Sequence, residues 1–318
     1  MTLRHLALAA AFAATCATAA DEYPHKPIRM IDPYAPGGST EAQARTIGQK
    51  LTDAWGEPVV IDGRPGAGSA IGSQIVANAP PDGYTLLFNN AAIGTTANMM
   101  RKPLYDPVKD LSAVILVGTQ PFILVAHPSM PGTVKELVAL AKAKPGTINF
   151  ASAGSGGASH LAMEYLKSLA RIDIVHVPYK GGSVMVTDLL GGRVNMGMAN
   201  LTTVLPHLRA GRLQALAIGT RSRSPLMPDM PTLSEAGVTG YEANNWNGVV
   251  VPRAPPRPIV ETLNRAIVAA LNEPQIAERV AAAGLDVIAD SPAEFARYLK
   301  SEADKWGRVV KRAGIRAE

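Results

Sequence analysis

Ile28-Arg29-Met30-Ile31-Asp32-Pro33-Tyr34-Ala35-Pro36-Gly37-Gly38-Ser39-Thr40 decides the fold class. A short apolar run of strand character ends in a Gly/Pro loop, and hydroxyl residues open the segment that follows. From Thr40 to Ala54 the spacing is helical, with Ala44, Ile47, Leu51 and then Trp55 falling on one face. Strand, glycine loop and helix start form the repeating unit of an α/β sheet protein.

The same order returns along the chain. Strands are expected at Ile28–Asp32, Pro58–Ile61, Tyr84–Phe88, Ala113–Val117, Phe122–Ala126, Ile148–Ala151, Ile174–Val177, Val194–Met198 and Leu213–Thr220. Helices are expected at Ser69–Asn78, Thr133–Ala143, Ala158–Ala170, Gly182–Leu190 and Thr202–Arg209. Thr133 with Glu136 reads as a capping box. After the Pro-rich Ser224–Pro231 the chain returns through Tyr241–Val251 to amphipathic helices at Pro258–Leu271, Pro274–Ala283 and Pro292–Arg312. Alternating strands and helices predict mostly parallel sheets, covered on both faces.

Composition narrows the class. With 318 residues the chain has room for about two domains, and 47% hydrophobic residues suffice for packed cores. Lys+Arg 31 against Asp+Glu 26 leaves +5, scattered along the chain rather than in blocks. With aromatics at only 5%, this is not the footprint of a nucleic-acid binder. A mildly basic surface suits small anions instead.

The N-terminus reads as an export signal. Arg4 and His5 precede the apolar Leu6–Ala14, and Ala17-Thr18-Ala19-Ala20 closes the segment with small residues. Residues 1–20 are therefore expected to be cleaved, and the mature chain to reach the periplasm. Cys16, the single cysteine, has Ala13 where a lipidation site would carry a bulky aliphatic residue, so plain cleavage is expected rather than lipidation. Nothing later is long and apolar enough for the ~20 residues of a membrane span.

Three loops join a strand to a helix start: Tyr34–Thr40, Gly63–Ser69 and Ser152–Ser159. In open α/β sheets ligands sit at the carboxyl ends of strands. Glycine lets backbone N–H groups approach a ligand, and helix N-termini favour anions. None of the loops carries the Gly-Lys-Ser/Thr of a phosphate-binding P-loop. Gly66, Gly68 and Gly72 miss the dinucleotide spacing by one, and Gly154, Gly156 and Ser159 lack its last glycine. Ser155 has Gly157 two residues on but Ala153 two before, so a nucleophile elbow is incomplete. An exported serine hydrolase using Ser155 or Ser159 with His160 stays open as an alternative. The histidines show no metal-ligand spacing, and no cofactor is implied.

Taken together, the motifs resemble the Bug (Bordetella uptake gene) family, the extracytoplasmic solute receptors of tripartite tricarboxylate transporters. The resemblance rests on Tyr34–Thr40, Arg64–Gly68, Pro81–Leu86, Gly154–Leu161, Val177–Gly182, Leu216-Ala217 with Arg221, Pro228–Thr232 with Glu235–Gly237, and Trp246–Gly248, in that order. It implies a type II periplasmic-binding-protein fold of two lobes around a central cleft, a Venus flytrap. Lobe one would be residues 21–121 plus 245–318, and lobe two residues 122–244. It implies a receptor, not an enzyme, that holds a di-/tricarboxylate or aromatic acid. Its partners would be the permease subunits of the transporter or a sensor kinase, and it would act as a monomer. Carried over residue by residue, the ligand-binding set is Gly38, Ser39, Thr40, Asn90, Ser155, Gly156, Ala158, Ser159, Tyr179 and Lys180.

Two departures bear on the solute. Glu41 stands where the family often has Asp, and Asn195 and Asn200 are neutral where it often has an acid. With Met196 and Met198 nearby, an apolar or aromatic carboxylate is one reading; methionine on a strand also reads as core filler.

Overall fold

The computed structural model describes residues 23–314 apart from 225, 226, 283 and 284. The signal-peptide reading, with Cys16, lies outside these described residues. The first unit is β1 (Ile28–Asp32), α1 (Ser39–Trp55), β2 (Val59–Gly63), a 3-10 turn at Ala67–Ser69, α2 (Ala70–Ala77) and β3 (Thr85–Asn90). α3 (Ala92–Met99) follows, then the long β4 (Leu111–Ala126). The middle runs α4 (Val134–Ala143), β5 (Asn149–Ser152), α5 (Ala158–Ala170), β6 (Val175–Pro178), α6 (Gly182–Leu190), β7 (Met196–Asn200), α7 (Leu201–Arg209) and β8 (Gln214–Ile218). The chain returns through β9 (Asn244–Pro252) and ends in α8 (Arg257–Leu271), α9 (Pro274–Ala282), β10 (Asp286–Val287) and α10 (Pro292–Ala313).

The strand order is β2-β1-β3-β9-β4-β7-β5-β6, with β8 and β10 also on β4. The expectation of mostly parallel sheets needs correction. β1 pairs parallel with β2 and β3, and β5 with β6 and β7. Every ladder that involves β4 or β9 is antiparallel. The reason is directional: β4 carries the chain from one group of strands to the other, and β9 brings it back alongside. A strand that leaves a group and one that returns to it side by side must run in opposite directions.

Ala113–Val117 and Phe122–Ala126, read as separate strands, are one element. The first part of β4 pairs with β9 from Leu111 to Pro121, and the last part with β7 and β8 from Phe122 onward. Gly118 and Pro121 stand in the gap between the two expected strands. Gly118 is a packing requirement, since a Cβ there would lie 2.3 Å from the Asp286 carbonyl oxygen. α3 was not anticipated. All its residues but Asn98 are buried, so it shows no polar face for periodicity to detect.

Among the described residues one buried cluster spans both groups, with Ile31 and Leu87 alongside Phe150 and Met196, and two smaller ones each stay within a group. Ile28 and Met30 pack with Ile47 and Leu51 of α1 and Leu263 and Ile267 of α8. Ile123 and Val125 pack with Met185 and Leu189 of α6 and Val204 of α7. Trp246 is fully buried edge-on to Phe295, at 5.5 Å between centroids. Its indole and that of Trp306 both donate to Glu302 Oε2, at 3.4 and 3.0 Å. At α4 the box is half-formed: Thr133 Oγ1 accepts from the Glu136 N–H, but the Glu136 carboxylate takes the Thr133 hydroxyl rather than its N–H. Among the described residues no helix is long and apolar enough to cross a membrane.

Candidate functional site

Four helices start at one cavity. α1, α5, α6 and α7 follow the N-caps Gly38, Gly157, Gly181 and Asn200, and none of these makes a side-chain capping bond. Their first-turn N–H groups therefore keep their donor capacity, and each helix adds partial positive charge at that end. The cavity measures about 50 Å³. A water needs roughly 10–15 Å³ on this scale, so the space holds a few small groups. Among the described residues no Lys, Arg, His, Asp or Glu lines it. Its polar side chains are those of Tyr34, Ser39, Thr40, Asn90, Ser159, Asn200, Thr203 and Asn245, and Phe122, Met185 and Met198 form its apolar wall.

The polar groups are held in defined roles. Asn90 Oδ1 accepts from the Tyr34 hydroxyl and from the Ala92 N–H, both at 2.9 Å, and among the described residues Nδ2 has no acceptor. Burial holds the Tyr34 hydroxyl far above its ordinary pKa, so it stays a donor. Ser159 Oγ accepts from the Ala153 N–H at 2.9 Å and braces the second loop. Ser39 Oγ accepts from Asn200 Nδ2 at 2.9 Å, and Asn245 Nδ2 donates to Asn200 Oδ1 at 3.0 Å. In the first loop, Glu41 accepts the Gly37 N–H at 2.7 Å and pairs with Arg45. The Gly37 N–H first and Arg45 next lower its pKa.

Of the residues expected from the sequence, Gly38, Ser39, Thr40, Asn90, Ala158 and Ser159 line the cavity. Ser155, Gly156, Tyr179 and Lys180 do not, and each has a physical reason. The Ser155–Gly157 turn lies against Gly68, where a Cβ would come within 2.2 Å of the Ser155 carbonyl oxygen. The Gly156 N–H donates to His160 Nδ1 at 3.0 Å. The Tyr179 hydroxyl donates to Asp188 Oδ2 at 2.8 Å. Lys180 is exposed, and only its carbonyl reaches across, accepting the Ala35 N–H. The cavity also uses Asn245, Phe122 and Met185, which carried no local sign. Asn200 carried one, a polar residue at a strand-to-helix junction.

Two buried groups flank the site. His160 and His176 stack at 3.7 Å between ring centroids, 9° from parallel, and His176 Nε2 meets Ser152 Oγ at 2.6 Å. Burial, first, lowers His160 to about 3 and His176 to about 4, so both are neutral near pH 7. Neither Ser155 nor Ser159 bonds to His160, so the pairing needed by a serine nucleophile is not assembled among the described residues. Asp32, 1% exposed, has Oδ1 without a partner; burial first and Glu41 second push its carboxyl up to about 7. Among the described residues no group of three or more His, Cys, Asp or Glu could hold a metal ion.

This architecture, strands in two groups with helix starts meeting between them, is that of the two-lobed type II periplasmic binding proteins. The model of the tripartite tricarboxylate transporter family receptor matches residues 43–315. Protein BugT of Bordetella pertussis is 37% identical over 98% of this chain and 98% of its own length. Rpa4515 of R. palustris, solved with adipate, is 33% identical with a TM-score of 0.87, covering 92% of this chain and 99% of that one. MatC (Rpa3494) of Rhodopseudomonas palustris, solved with bound malate, is 30% identical with a TM-score of 0.87, covering 91% and 100%. The chain belongs to the tripartite tricarboxylate transporter receptor family, and it is similar to the Bug proteins BugT and BugD over 98% and 93% of its length.

Proposed function

We propose that the mature chain is a periplasmic receptor that captures a small carboxylate between two lobes, unchanged, and delivers it to a membrane permease of the tripartite tricarboxylate type. Lobe one is residues 21–121 plus 245–318 and lobe two 122–244, with the bend where β4 and β9 pass between them. The observation that carries this reading is the convergence of four uncapped helix starts on a cavity with no charged side chain among the described residues. Such a site stabilises an anion through fixed dipoles and N–H donors. It offers an ammonium group nothing of opposite charge. The adipate and malate held by the two solved relatives are of the same chemistry.

Ser39, Thr40, Asn90 and Ser159 donate or brace at the carboxylate, and the Phe122, Met185 and Met198 wall takes an apolar body. Closure brings both sets together, so the ligand shifts the population towards the closed form. The chain does this as a monomer after its leader is removed. A thermal-shift panel of adipate, malate, citrate, benzoate and nicotinate tests the reading. At a hundredfold excess over Kd a binder adds about 2.7 kcal/mol of apparent stability. The bound acid should be recovered unaltered by mass spectrometry. No shift with any acid, or turnover of generic esters that Ser155→Ala abolishes, would overturn it.

A further inference from the structure

The hydrogen bonds beneath Ser39 have a direction, and one group fixes it. The backbone N–H of Ala91 points at Asn245 Oδ1, 3.4 Å away. A backbone N–H can only donate, so the amide oxygen of Asn245 must face it. That turns Asn245 Nδ2 towards Asn200, whose Oδ1 receives it at 3.0 Å. Asn200 Nδ2 is then left for Ser39 Oγ, at 2.9 Å. Amide orientations are normally assigned from the network around them; here one end of the network has no alternative. Ser39 therefore enters the chain as an acceptor. Among the described residues its own proton has no protein acceptor, and Ser39 lines the cavity.

Asn200 is diverted to this task. It occupies the N-cap position of α7, where Asn commonly accepts a first-turn N–H, yet it makes no such bond. Its side chain instead joins Ser39 of α1 to Asn245 of β9. A carboxylate at position 200 would fill the same space with the opposite polarity. It can only accept, so it would take the proton of Ser39 and turn the hydroxyl lone pairs to the cavity.

We propose that Asn245 and Asn200 are positioning residues that fix Ser39 as a donor into the cavity, and so specify an anionic rather than an ammonium group at that corner of the solute. This specificity rests on the receptor reading above; the polarity of the relay does not.

The test has a solute-free arm and a binding arm. In Asn200→Asp the new carboxyl is titrated by carbon NMR, alone and with Asn245→Ala. Loss of an N–H donor at 245 raises the pKa of that carboxyl, as the relay requires; a fall would mean that Asn245 presents its carbonyl, and would overturn it. Should the double variant not fold, Ser39→Ala is read instead. There the Asn200 side-chain amide protons lose their acceptor, shift and exchange faster; no change overturns the relay. In the binding arm, calorimetry compares adipate with hexane-1,6-diamine, of matched length and opposite charge, and repeats the pair for any other acid of the panel that binds. Wild type should bind the acid only. Asn200→Asp should lose at least tenfold in acid affinity and gain measurable diamine affinity. Unchanged acid binding in Asn200→Asp overturns the specificity proposal. If no acid binds wild type, the receptor reading fails, and the titration still decides the relay.

Discussion

The Ala35 N–H donates to the Lys180 carbonyl oxygen at 2.9 Å, joining the loop after β1 to the loop after β6. The Ser183 hydroxyl adds a bond to the Pro36 carbonyl at 3.2 Å. Beside them Gly68, at φ +62°, meets the Gly154–Gly157 turn backbone to backbone. These are contacts between the two strand groups, and on the proposed two-lobe reading they belong to the closed form. Lys180, expected in the ligand-binding set, contributes here through its main chain.

Gly68→Ala should therefore act on closure rather than on contact with the solute. Its Cβ would sit 2.2 Å from the Ser155 carbonyl oxygen, and backbone must move. Apparent affinity falls by the factor by which the closed fraction falls, on the order of tenfold if that fraction drops tenfold. Small-angle scattering with saturating acid should show a larger radius of gyration than wild type. Normal affinity and wild-type dimensions would show that the contact is not needed for closure.

Ser39→Ala combined with Ser159→Ala should weaken acid binding. Each lost bond to a charged group costs about 1.5–3 kcal/mol. Ser159→Ala also leaves the Ala153 N–H without its partner, so the double variant should melt slightly lower. Calorimetry with unchanged affinity would remove these hydroxyls from the site.

Asp32 makes stability fall as pH rises. Its carboxyl sits at about 7 when folded, against an ordinary 3.8. Between those values the folded chain keeps a proton that the unfolded chain releases. The contribution is full below the lower value and is lost as pH climbs through the upper one. Asp32→Asn should remove this slope and add up to ~4 kcal/mol at pH 8, at ~1.36 kcal/mol per unit. Urea unfolding at pH 4, 6 and 8 measures it; an unchanged slope would mean that the carboxyl ionises freely.

The histidine stack works in the opposite sense. Folded values of about 3 and about 4, against 6.5, favour the folded chain above 6.5 and withdraw that support as pH falls towards them. Two such groups outweigh one Asp32 between pH 4 and 6.5, so wild type should lose stability on acidification there. His176→Asn should flatten the fall. A profile identical to wild type would show that His176 is not what resists the acid.

Local patterns carried much of this fold. α6 lies where residue spacing put it, because it has one buried and one exposed face; α5 keeps its expected bounds although residues 158–163 are all buried. α3 was hidden by being buried nearly all round, and the continuity of β4 by the Gly118 and Pro121 inside it, residue types that weaken a strand pattern. The loops at Gly38–Thr40 and Ala158–Ser159 announced themselves through glycine and hydroxyl residues at helix starts. Asn245 could not, since what matters is its approach to Asn200, 45 residues away in sequence. Ser155 and Gly156 do not line the cavity, and sequence could not tell, because a glycine-rich turn looks the same whether it faces a solute or another turn.

β4 and β9 run side by side from one strand group to the other, locked by Thr119 with Trp246, Gln120 with Asn245 and Pro121 with Asn244. A paired ribbon twists and flexes across its width at small cost, but sliding one strand past its neighbour breaks every rung at once. On the proposed two-lobe reading, the halves would therefore swing like a door rather than shear like a drawer. A solute that is too bulky can only prop the door ajar, so its size is converted into an angle.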